Sequence, residues 1–66
     1  MQLISEPKTV TLAETESYLA WRAEEPDGEI TYHMELNNIT LHFFNEEWAE
    51  FLDLARLVIQ RTEEGM

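Results

Sequence analysis

The sequence predicts an α+β fold: a four-stranded antiparallel β-meander with one C-terminal α-helix packed on one face (ββββα). Three observations carry that reading. Glu29 to Leu36 alternates strictly, with Ile30, Tyr32, Met34 and Leu36 apolar, which is the period of a half-buried strand. Ile39 to Phe44 alternates again after Asn37-Asn38, a pair that tolerates the left-handed backbone of a two-residue type I′ turn. From about Glu46 to about Thr62, the residues Trp48, Phe51, Leu52, Ala55, Val58 and Ile59 recur at helical spacing.

Taken in order, Met1 to Lys8 is a lead-in broken by Pro7, and Leu3 and Ile4 are too brief a signal to assign. Thr9 to Leu12 is rich in β-formers and reads as the first strand, with Val10 and Leu12 on one face. Residues 13–16 are a polar connection. Residues 17–24 read as the second strand, with Leu19, Trp21 and Ala23 on one face and Tyr18, Ala20 and Arg22 on the other. Ala and Glu would also permit a helix there, but Pro26 and Gly28 favour a strand entering a turn. A four-residue loop at Glu25-Pro-Asp-Gly28 pairs Trp21 with Tyr32 and Leu19 with Met34. The same loop length at 13–16 pairs Val10 with Leu19. The third strand spans 29–36 and the fourth 39–44, pairing Leu36 with Ile39, Met34 with Leu41 and Tyr32 with Phe43. Asn45 is placed to cap the helix, and Glu46 and Glu47 suit the positive end of its dipole. Residues 63–66 read as a frayed end.

Sixty-six residues make a single domain (1–66) with little room for a core, since a chain of this size buries only about 60% of its unfolded surface. There are no cysteines, hence no disulfide, thiolate metal site or thiol nucleophile. The opening residues lack a basic region followed by an apolar run, and no segment is apolar enough to span a bilayer, so a cytoplasmic protein is expected. Fourteen acidic residues against four basic ones give a net charge of −10. Such a surface repels nucleic acid and anionic lipid; it keeps a protein soluble, and it also suits a basic protein partner.

His33 and His42 fall opposite one another in the expected register. Cross-strand Cβ atoms about 4.5–5.5 Å apart would let both imidazoles reach one ion. Glu35, two residues along, would complete a two-His, one-carboxylate set. Two solvated histidines are the simpler expectation, and no cofactor or metal is called for. The acidic residues lie at a turn tip and on a helix surface, where water screens them, and no nucleophile is paired with a base, so no enzyme activity is expected. Trp21 and Trp48 are assigned to the core. The open sheet face is expected to carry Tyr18, Arg22, His33, Glu35, His42 and Phe44 as a ligand face.

Glu25-Pro-Asp-Gly-Glu29, Ile39-Thr-Leu41 and Asn45-Glu-Glu-Trp48 with the apolar helix after it resemble the positive-cofactor-four family of transcriptional coactivators and the related Whirly proteins. The resemblance covers roughly the second half of the chain. It implies a single-stranded-DNA-binding regulator that dimerises through its helices and turns a curved sheet to its ligand. Residues 31–40 contain no Lys or Arg, so the family's DNA-contacting basic positions have no counterpart beyond Arg22.

Leu54 and Leu57 lie round the helix from the sheet-facing stripe, bordered by Val58 and Arg61. They predict a homodimer in which these four residues meet a second copy. The function expected from the residues themselves is a small, acidic, non-enzymatic interaction or regulatory module.

Overall fold

The computed structural model describes residues 8–64. Leu3 and Ile4, left unassigned above, lie outside them. Strands β1 (Lys8–Glu14), β2 (Tyr18–Glu24), β3 (Ile30–Leu36) and β4 (Ile39–Phe44) form one antiparallel sheet in the order β1-β2-β3-β4, followed by helix α1 (Asn45–Glu64). The fold is the expected ββββα arrangement, with α1 packed on one face of the meander.

The last hairpin has the expected register, with Leu36 opposite Ile39, Met34 opposite Leu41 and His33 opposite His42. Its turn differs. Asn37, at φ 60°, is the one non-glycine residue with positive φ among the described residues, so Asn38 does not share the left-handed backbone and the turn is not type I′.

The β2–β3 hairpin departs from expectation by one residue. Gly28 N donates to Glu25 O at 2.9 Å, closing a β-turn over Pro26-Asp27, and Gly28 itself takes φ 92°. Asp27 Oδ1 accepts from Glu29 N at 2.9 Å, and Glu25 N donates to Glu29 O at 2.8 Å. A left-handed glycine after such a turn is a bulge that adds one residue to the loop. Trp21 therefore faces His33 rather than Tyr32, and Leu19 faces Glu35 rather than Met34. Because side chains alternate, a one-residue shift moves the whole of β2 to the opposite face.

The first hairpin also closes more tightly than expected. β1 continues to Glu14, Thr15 N donates to Tyr18 O at 2.8 Å, and Thr15 Oγ1 accepts from Tyr18 N at 3.0 Å. Val10 consequently sits opposite Arg22, not Leu19, and the register shifts between Thr11 and Ala13 to accommodate Leu12.

The helix starts directly after β4. Phe44 N donates to Glu47 Oε1 at 2.9 Å, so a glutamate three residues on, not the Asn45 side chain, satisfies the donor at the cap. Trp48 stacks on Tyr32 with centroids 4.9 Å apart, and Phe43 meets both Trp48 and Phe51 at 5.2 and 5.1 Å. This aromatic cluster holds the first turns of α1 to β3 and β4, the two of the four described strands that it touches. Beyond Ala55 the helix leaves the sheet. Val58 and Ile59, expected to cover the sheet, are 54% and 57% exposed. Glu63 and Glu64 continue the helix rather than fraying.

The resulting shape is long, 60 × 26 × 17 Å, with a radius of gyration of 15.0 Å. A globular chain of this length would have a radius near 11 Å. Among the described residues Ala23, 3% exposed, is the one buried apolar residue.

Candidate functional site

Cross-strand partners share a face, so the register assigns every side chain of the sheet. Tyr18, Ala20 and Arg22 sit opposite Leu36, Met34 and Tyr32, on the side where α1 packs. Tyr18 and Arg22 therefore do not belong to the ligand face expected for them. His33, Glu35, His42 and Phe44 do lie on the open face, with Phe44 opposite Thr31 and His42 opposite His33. The bulge at Gly28 adds Leu19, Trp21 and Ala23 to that face, beside Thr9 and Thr11 of β1.

The centre of the open face is a connected cluster. The Trp21 indole stacks on the His33 ring, with centroids 5.1 Å apart and planes 18° from parallel. The His33 and His42 rings meet edge to face, with their Nδ1 atoms 2.6 Å apart. On its other side, His33 Nε2 lies 3.0 Å from Thr31 Oγ1, and Thr31 Oγ1 donates to Glu25 Oε2 at 3.2 Å. With its proton given to Glu25, the Thr31 oxygen accepts from His33, so Nε2 carries the imidazole hydrogen. His33 Nδ1 is then a bare lone pair aimed at His42. His42 Nδ1–H then donates into it.

Desolvation under Trp21 and its neighbours lowers the His33 pKa below the ordinary value of 6.5. The adjacent His42 lowers it further, and Glu25 acts in the opposite direction. The site therefore holds His33 as a neutral imidazole at neutral pH. Glu35 is exposed opposite Thr40 and does not complete a three-residue set: no group of three or more His, Cys, Asp or Glu among the described residues is placed to share a metal.

Trp21, Thr31 and Glu25 were absent from the site expected from the sequence. The signal that locates Trp21 is Asp27-Gly28, where a left-handed glycine can lengthen the loop by one residue, while Thr31 follows from the alternation of β3.

On the helix, Leu54, Leu57, Val58, Arg61 and Thr62 line one shallow hollow. Leu54 and Leu57 are 57% and 50% exposed. No helix among the described residues is long and apolar enough to cross a membrane. No family model, curated protein or solved structure matches the chain.

Proposed function

We propose that the chain is a small, acidic, non-enzymatic interaction module of the cytoplasm that works as a homodimer and docks on a basic protein. The observation that supports dimerisation is the unfinished core. Among the described residues one apolar residue, Ala23, is buried, while Leu54, Leu57, Val58 and Ile59 stand exposed on a helix that runs past its own sheet. Val10 and Tyr18 are also exposed, on the same face of the sheet as α1 but on β1 and β2, which the helix does not reach. A helix amphipathic along its whole length but partnered along half of it has apolar surface that a second copy can cover.

Charge opposes association, because each protomer brings −10. Burying Leu54 and Leu57 in each protomer contributes roughly 1.5–3 kcal/mol per side chain when complete, enough to exceed a repulsion that salt screens. The dimer should therefore tighten as salt rises. Sedimentation of the wild type and of Leu54→Glu/Leu57→Glu, at low and high salt, tests this. The wild type should sediment as a dimer, more so at high salt, and the double variant as a monomer. A double variant that still dimerises would reject the helix surface as the interface.

A further inference from the structure

We propose that His33 and His42 form a binding site for a divalent transition-metal ion of the zinc and copper class, held through their two Nδ1 atoms. The two nitrogens already converge, 2.6 Å apart across a strand pair that fixes their backbones. An ion at about 2.0–2.1 Å from each, in tetrahedral geometry, needs the nitrogens about 3.3 Å apart. The rings must open by less than an ångström, which side-chain torsions supply.

What distinguishes this pair from two surface histidines is its outer sphere. A metal-bound histidine characteristically donates its other ring N–H to an acceptor that fixes tautomer and orientation. His33 has that arrangement without any ion: Nε2 meets Thr31 Oγ1, and Thr31 is tied to the Glu25 carboxylate. The chain points the His33 lone pair into the site and places a carboxylate at the far end. Trp21 covers one face of the ring and limits its rotation. His42 needs only to move its hydrogen from Nδ1 to Nε2 to present a second lone pair.

Imidazole nitrogens select zinc, copper or nickel over calcium and magnesium, which prefer oxygen. Water fills the remaining coordination positions, since no third side chain is in place. The net charge of −10 raises the local cation concentration at the sheet.

The test is calorimetric titration of the full chain with Zn²⁺ alone, beside the Cu²⁺ electron paramagnetic resonance spectrum. We expect one ion per chain, superhyperfine splitting from two nitrogens, and quenching of Trp21 fluorescence by Cu²⁺. His42→Gln, at an exposed position, should weaken Zn²⁺ more than tenfold while circular dichroism stays unchanged. Thr31→Val leaves both ligands and should weaken it by about tenfold, the low end for loss of an outer-sphere partner. His33→Gln provides a second ligand variant. Zn²⁺ affinity unaltered by His42→Gln and His33→Gln would assign the ion to surface carboxylates and overturn the proposal, as would a wild type that gives no binding.

Discussion

His33 shows how much one side chain inherits from its neighbours. Trp21 stacks on it from β2, His42 meets its Nδ1 from β4, Thr31 and Glu35 flank it on its own strand, and Glu25 reaches it through Thr31 from the turn. Its pKa is lowered, by desolvation first and His42 second. A base with a lowered native pKa is protonated more readily in the unfolded chain. The stabilisation is complete above the ordinary histidine value of 6.5 and is lost as pH falls through the lowered native value. Thermal unfolding in chelator and moderate salt should give a lower Tm near pH 5.5 than near pH 7.5, and His33→Gln should flatten the difference, because histidines dominate titration there. A Tm that rises on acidification would show that the imidazole pair does not stabilise the fold.

Among the elements, the β2–β3 turn decides most. Gly28 holds φ 92°, and a Cβ built there meets nothing within 4 Å, so any cost of a side chain is backbone strain alone. Gly28→Ala should lower stability by about 1–2 kcal/mol in urea unfolding, and Gly28→Asn by less, since Asn visits the left-handed region more readily. Equal losses would point to a steric rather than conformational origin. The same turn marks where the sequence is legible. Alternation in 29–36 and 39–44 located both strands and the pairing of His33 with His42, because a two-residue turn leaves one register open. Alternation in β2 located the strand but not its face: Leu19, Trp21 and Ala23 are apolar, yet so are Tyr18 and Ala20, and either set could face α1. One bulged glycine chose, and it brought Trp21 over His33, while Thr31 reaches His33 through the alternation of β3 itself. Helical periodicity gave the extent of α1 but not where it leaves the sheet, which depends on its starting without a loop after Phe44.

For the molecule as a whole, shape and charge govern. With fourteen acidic and four basic residues, and with Arg22 on the side where α1 packs, the open sheet face lacks the positive groove that tracks a phosphate backbone. Single-stranded DNA should show no measurable binding near physiological salt in fluorescence anisotropy. A micromolar, salt-sensitive affinity would instead favour the coactivator-like reading. The proposed function rests on a second copy completing the core. Light scattering on the eluting wild type, at high micromolar concentration and high salt, tests it most directly. The prediction is a mass of twice the 7.8 kDa chain. A cooperatively folded species with the mass of one chain, at both low and high salt, would contradict it.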